Sequence, residues 1–271
     1  MSRYGMIAGN GRFPLLALET ARAAGDQVVV VALKEEASPE VEQLAERCYW
    51  ISLGQLSRLI EILKQENIGE VMLAGQVKHA RIFSSIRPDW KLVKLLASLK
   101  QKNTDSLIGG VAQILAEEGI RLADSTLLLK PLLASAGVLS RRKPYPEEER
   151  DIAYGRKIAN TLAGMDVGQS VVICDGACVA VEAMEGTDAM LERAASLVNG
   201  KPLRLVKASR RRGHLLFDVP VAGPGTIEAM QQAGATALAI DAGRTLLLDR
   251  NAMLARADEL GIAILGCEPE P

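Results

Sequence analysis

Residues 3–33, RYGMIAGNGRFPLLALETARAAGDQVVVVAL, decide the fold class of this chain. RYGMIA at 3–8 is a short apolar strand, Gly9-Asn10-Gly11-Arg12 a turn, and Phe13-Pro14 opens a helix that runs to about Ala24 before VVVVAL at 28–33. Strand, glycine turn and helix form the arrangement in which free amides at a helix start face an anion. Gly9, Asn10, Gly11 and Arg12 are therefore candidate contacts for a nucleotide or its phosphate. The third glycine of the dinucleotide fingerprint is missing, and a tight structural turn has the same composition.

Working outward, the alternation continues with a helix near 38–46, CYWISL at 48–53, a helix at 55–66 and VMLAGQV at 71–77. Strands and helices joined by short links predict an α/β domain with a mostly parallel, doubly wound, Rossmann-like sheet over residues 1–137. The fourth strand ends in Gly75-Gln76-Val77-Lys78, at the carboxyl edge where ligands collect in such sheets, so Gln76 and Lys78 join the candidate binding residues. Residues 89–118 read as helical, with Lys91, Lys94, Lys100 and Lys102 beside leucines and Asn103-Thr104-Asp105 as an internal cap. A basic amphipathic helix suits a membrane surface or a phosphate; a solvated face has the same pattern.

The charged, proline-punctuated stretch at 138–150 has little to bury and reads as a linker. The remainder, 151–271, reads as a second α/β domain with a mixed sheet and a ligand cleft between the two domains. Its expected elements are a helix at 148–163, a hairpin through Asp175-Gly176, strands near 203–207 and 215–219, and a helix at 224–233. A strand at 236–240, a hairpin at 245–248, a helix at 250–260 and a strand at 262–266 follow.

The most chemically loaded segment is VEAMEGTDAM at 181–190, where an apolar strand turns into a helix among three carboxylates. Thr187 suits an N-cap and Asp188 the first turn, which is ordinary capping. Glu182 and Glu185 exceed what a cap requires, because an acid close behind an apolar strand is costly unless paired, exposed or bound to metal.

Composition narrows the partners. With 32 Lys and Arg against 33 Asp and Glu, the net charge of −1 gives no general attraction to nucleic acid. Cys48, Cys174, Cys178 and Cys267 lack zinc spacing and read as reduced thiols. The N-terminus lacks the pattern of a signal peptide, and no segment approaches a membrane span, which leaves room for a peripheral membrane contact and for a homodimer.

Several segments together, IAGNGRFPLLALETAR, LAGQVKHARIF at 73–83, Thr104-Asp105, Asp166-Val167-Gly168-Gln169-Ser170, AVEAMEGTDAMLERA at 180–194 and FDVPVAGPGTIEAMQQAG at 217–234, resemble the UDP-2,3-diacylglucosamine pyrophosphatases of the LpxI type. The resemblance runs in order over nearly the whole chain. It implies a two-domain hydrolase of lipid A biosynthesis that uses Mg²⁺ to split a lipid-linked nucleotide sugar, UDP-2,3-diacylglucosamine, into UMP and 2,3-diacylglucosamine 1-phosphate (lipid X). It also implies a cytoplasmic location, peripheral on the inner face of the inner membrane.

Carried over residue by residue, the resemblance implies Glu185, Asp188 and Asp218 as catalytic or metal-binding acids, with Glu182 a further metal candidate and Gly186 and Thr187 in the substrate site. Between Lys207 and Asp218 the chain departs from the type. Relatives of this kind carry a Lys-Pro-Gly-Gln-Asp-type loop, whereas Gly213 and His214 stand here where Gln and Asp are expected. His214 is then a candidate general base, and Arg212, in the run Arg210-Arg211-Arg212, a phosphate clamp. Two other readings follow: a catalytically altered member that binds UDP-sugar lipid, and a nicotinamide-dependent oxidoreductase resting on the Rossmann-like opening alone.

Overall fold

The computed structural model describes residues 2–75, 77, 87–99, 104–165, 167–209 and 219–269. They form two compact units that divide between Leu129 and Lys130.

In the first unit, β1 (Arg3–Ala8), β2 (Gln27–Leu33), β3 (Arg47–Ile51), β4 (Glu70–Ala74) and β5 (Arg121–Leu122) make one sheet in the order β3-β2-β1-β4-β5. All its pairings are parallel. Val28, Val29, Val30 and Val31 are all buried, the unbroken apolar run expected of a strand covered on both faces. Helix α1 (Phe13–Ala24) ends at Gly25, whose φ of 76° closes the helix in the left-handed region. The chain winds outward from β1 to β3, then crosses back to place β4 on the other side of β1. That reversal is the topological switch point of a doubly wound sheet, so the expected Rossmann-like architecture is present. The helix expected at 38–46 is shorter, α2 (Val41–Leu44), and α3 (Leu56–Gln65) matches its expectation. The 89–118 segment holds two helices, α4 (Trp90–Ser98) and α5 (Thr104–Glu117). Asp89 caps α4 by accepting the Leu92 amide at 3.0 Å; the Asn103-Thr104-Asp105 cap lies outside the described side chains.

The second unit carries a mixed sheet in the order β6-β13-β11-β9-β7-β8. Its strands are β6 (Gly137–Val138), β7 (Ser170–Cys174), β8 (Ala177–Val181), β9 (Leu203–Lys207), β11 (Ala235–Asp241) and β13 (Ala263–Cys267). Strands β9, β11 and β13 are parallel; β7 runs antiparallel to both β9 and β8, and β6 antiparallel to β13. The Asp175-Gly176 hairpin forms as expected, with φ of 48° and 78° at its two turn residues. Helices α6 (Pro146–Gly164), α7 (Thr187–Leu197), α8 (Pro224–Ala233) and α9 (Arg250–Glu259) complete the unit.

Two expectations are corrected here. Residues 138–150 are not a free linker but part of the second unit. Val138 pairs with Leu265, Ser140 Oγ accepts the Ile264 amide at 2.7 Å, and Arg142 grips Glu148 through both terminal nitrogens while donating to the Thr236 carbonyl. The charged composition misleads because its charges pair with each other against the sheet. Nor is 245–248 a hairpin: β12 (Leu246–Leu247) pairs in parallel with β10 (Val221–Ala222). Both leucines are fully buried, and Leu246 and Leu248 donate to the Pro220 and Ala222 carbonyls. Of the strand expected at 215–219, residues 215–218 lie outside the described residues.

Candidate active site

Strand β8 lies antiparallel to β7, and β7 to β9, so β8, β9, β11 and β13 all point the same way. Their carboxyl ends lie along one edge of the sheet, where Glu182 follows β8 and Lys207, Asp241 and Cys267 close β9, β11 and β13, and Ser170 at the start of β7 joins them there. This edge is where an α/β sheet presents ligand-binding groups.

The acidic corner sits on it. After β8 the chain turns through Gly186, at φ 85°, into α7. Thr187 does not cap that helix; Gly186 holds the N-cap position and no side chain caps it. Instead the Thr187 hydroxyl donates to Glu182 Oε1 at 2.8 Å and accepts from Lys207 Nζ at 2.7 Å. A cap bond was expected from local sequence; Lys207, distant in sequence, draws the hydroxyl the other way. Glu185 is turned to a different task. It bonds Arg193 at 2.7 Å and the Ala183 amide at 3.0 Å, and its own amide, Arg193 and the Ala183 amide hold its carboxyl below the usual carboxylate range. Asp188 is exposed and lines a groove of about 590 Å³ between α7 and α8, together with Glu192 and Glu228.

Lys207 is 92% buried, being 8% exposed, and Ser170 is fully buried. The two residues are direct partners across the antiparallel β7–β9 pair, so their side chains leave the same face of the sheet. Strand alternation puts Val172, Leu203 and Leu205 on that face too, within the core under α7, α8 and α9. Among the described residues Ser170 Oγ has no hydrogen-bond partner. Gly168 lets the two sides of the corner meet: a Cβ there would stand 1.9 Å from the Glu182 carbonyl oxygen. Farther along the edge, Asp241 accepts the Ser209 amide and hydroxyl, each at 2.7 Å, with Arg156 at 3.6 Å.

In the first unit, the Gly9–Arg12 turn follows β1 at the switch point. The Gly9 amide donates to the Ala74 carbonyl at the end of β4. Asn10 Oδ1 accepts the Gly11 amide at 2.7 Å. Gly11 takes φ 95° with open space around it, and Asn10, Gly11 and Arg12 are exposed. Gly75 crowds the turn, since a Cβ on it would lie 2.5 Å from the Asn10 carbonyl oxygen and 3.1 Å from Pro14 Cγ. Pro14 occupies the place of the third fingerprint glycine.

Gln76, Lys78, Arg212, His214 and Asp218 lie outside the described residues. Mg²⁺ takes hard oxygen ligands, and the carboxylates of the corner are of that chemistry. Among the described residues, though, no group of three or more His, Cys, Asp or Glu side chains is assembled to hold a metal. Glu185 faces a guanidinium and Asp188 an outer groove, so these residues alone do not converge as a ligand set.

Comparison with known proteins then decides the lineage. The family model described as the LpxI N-terminal domain matches residues 3–132, and that of the LpxI C-terminal domain matches residues 135–265. The chain belongs to the LpxI family. A UDP-2,3-diacylglucosamine pyrophosphatase LpxI from Caulobacter vibrioides is 32% identical over 280 residues, covering 100% of this chain and 99% of that protein. Among solved structures, phosphoribosylglycinamide synthetase from Anaerococcus prevotii is 14% identical over 64% of this chain and 32% of its own, with a TM-score of 0.29. The biotin carboxylase domain of a single-chain bacterial carboxylase is 16% identical over 73% and 34%, with a TM-score of 0.29. The chain spans about a third of those structures' length, and likeness at this level carries no argument about the site.

Within this LpxI-family chain, reading the sequence found Glu182 and Thr187 but missed Lys207 and Ser170 as site residues. A signal existed in the period-two alternation, which puts a lysine after Leu203 and Leu205 and a serine before Val172 on an otherwise apolar face.

Proposed function

We propose that this LpxI-family protein hydrolyses the pyrophosphate of UDP-2,3-diacylglucosamine to UMP and 2,3-diacylglucosamine 1-phosphate, a Mg²⁺-dependent step of lipid A biosynthesis. Family membership over both units and the full-length relative support the substrate class. The observation that carries the chemistry is the Glu182 carboxylate held by the Thr187 hydroxyl at the carboxyl edge of the sheet.

In this reading Glu182 orients a water molecule and takes its proton as the water oxygen bonds to phosphorus. The bond from that phosphorus to the bridging oxygen breaks, and the leaving phosphate takes the electron pair. Lys207 and Thr187 fix the carboxylate's position. Asp218, carried over from the family resemblance, would be an oxygen ligand of Mg²⁺; Asp188, on the outer groove, is not given that role. When bound, the ion supplies charge neutralisation of the pyrophosphate. The exposed Asn10–Arg12 turn of the first unit would contact the nucleotide, though not through the Gly9 and Gly11 amides, which donate to the Ala74 carbonyl and to Asn10 Oδ1.

We further propose a cytoplasmic protein with a peripheral membrane contact through α4. Trp90 there is 77% exposed and Val93 40% exposed, beside exposed Lys94, and among the described residues no helix is long and apolar enough to cross a membrane. Cosedimentation with anionic lipid vesicles, lost in Trp90→Ser, tests that contact.

Release of UMP from UDP-2,3-diacylglucosamine, followed with and without Mg²⁺, tests the activity. Release in both conditions refutes the metal requirement, and release in neither refutes the hydrolase. His214 in place of the expected aspartate favours a second reading, a family member that binds the lipid nucleotide without efficient turnover; binding without release in the same assay would support it.

A further inference from the structure

Lys207, Ser170 and the start of α7 meet on one face of the second unit's sheet. Lys207, 8% exposed, donates to the Thr187 hydroxyl at 2.7 Å, which places a buried cation at the start of the helix. A serine hydroxyl with no partner among the described residues costs about 1–3 kcal/mol. The helix start adds amides that no side chain caps, together with the positive end of the helix dipole. A Cβ on Gly186 would meet no atom within 4 Å, so there is open space beside the helix start.

We infer that these groups form an anion subsite for one phosphoryl group of a diphosphate, with Lys207 as its cation. The inference rests on the pyrophosphatase reading for the identity of the natural ligand and on the geometry for the site. Thr187 sets the arrangement: its single proton goes to Glu182, so its oxygen must accept from Lys207, which anchors Nζ beside the first turn of the helix. Ser170, opposite Lys207 in register, supplies a hydroxyl for a phosphoryl oxygen that reaches Nζ. Asp188, the one acid in the first turn, is exposed on the outer groove and does not fill the place of the anion.

The probe is inorganic pyrophosphate added to the full-length protein without divalent metal, measured by calorimetry beside the UMP-release assay. Lys207→Met should weaken pyrophosphate binding by about ten- to a hundredfold, the range of a charge-assisted bond, and Lys207→Arg should restore part of it. In turnover, Lys207→Met should raise KM at least as much as it lowers kcat. Ser170→Ala should weaken binding severalfold without loss of thermal stability, because it removes a hydroxyl with no described partner.

Wild-type protein that does not bind pyrophosphate, or Lys207→Met and Ser170→Ala proteins that bind it as wild type does, would overturn the subsite. Should Lys207→Met not fold, Ser170→Ala and Lys207→Arg decide alone: unchanged affinity in both overturns the inference, weaker binding in Ser170→Ala supports it. A wild type that binds pyrophosphate through Lys207 yet releases no UMP keeps the subsite and refutes the hydrolase; one that releases UMP with affinity indifferent to Lys207 does the reverse.

Discussion

Glu182 and Glu185, three positions apart, are committed to different partners: Glu182 accepts the Thr187 hydroxyl at 2.8 Å, and Glu185 accepts Arg193 at 2.7 Å. The Thr187 contact is backed by buried Lys207, whereas Glu185 and Arg193 brace the corner from its exposed side. Glu182→Gln should therefore lower turnover by about a hundredfold or more, as loss of a positioned acid–base group does. Glu185→Gln should cost only a few-fold. Steady-state UMP release from both variants, with circular dichroism to confirm folding, checks the ranking; a larger loss in Glu185→Gln would move the chemistry to that residue.

The first unit's turn makes a separable prediction. Gly75→Ala drives a methyl into the Asn10 carbonyl and forces alanine to φ 88°, so backbone must move and the unit should lose stability, by about 2 kcal/mol or more. Gly11→Val meets no neighbour but must hold φ 95°, which distorts the turn rather than the core. It should weaken UMP binding more than it lowers the melting temperature. Calorimetric titration of UMP into both proteins decides; a Gly11→Val protein with wild-type affinity would remove the turn from the nucleotide site.

Local chemistry explains why these parts were readable in the sequence. The Gly9–Arg12 turn, the buried valines of β2 and the Asp175-Gly176 hairpin each carry their signal within a few residues. The Lys207–Thr187–Glu182 chain does not, because it depends on the register that pairs Ser170 with Lys207 across β7 and β9. Thr187 looked like a cap for the same reason: the competing partner is 20 positions away. Residues 138–150 looked solvated because their charges are many, and only the fold shows Arg142 and Glu148 neutralising each other. Leu246 and Leu247 were read as half of a hairpin when their partner strand lies more than 20 residues upstream.

Glu148 ties stability to acid. It is 2% exposed; burial alone would raise its pKa, but bonds from Arg142, Thr236 and the Tyr145 amide outweigh that and leave it below the usual range. A carboxylate depressed in the folded state stabilises fully above its unfolded pKa, and that contribution fades as pH falls through the folded value. Glu148→Gln leaves Arg142 without its anion and should cost about 3 kcal/mol at neutral pH. The variant should also lose less stability than wild type on acidification. Urea unfolding at neutral and acidic pH measures both; equal acid sensitivity in the two proteins would show that other carboxylates set the acid limb.

At positions 213 and 214 the resemblance implies a Gln-Asp pair where this sequence has Gly213 and His214. An aspartate in that loop would serve the reaction as a carboxylate, charged throughout the neutral range and suited to Mg²⁺; imidazole is a weaker partner for that ion. If His214 has inherited the role, it acts as a general base, and kcat/KM should fall on the acidic side along a limb near imidazole's ordinary pKa of about 6.5. Exchanging Gly213→Gln together with His214→Asp should then raise Mg²⁺-dependent UMP release and move the limb to carboxylate values. His214→Ala should abolish the limb and lower the rate by about a hundredfold. Should alanine at 214 leave the rate and its pH profile untouched while the double exchange adds nothing, the loop takes no part in proton transfer and the chemistry rests on Glu182 and its neighbours. The family assignment, carried by both units, would stand in either case.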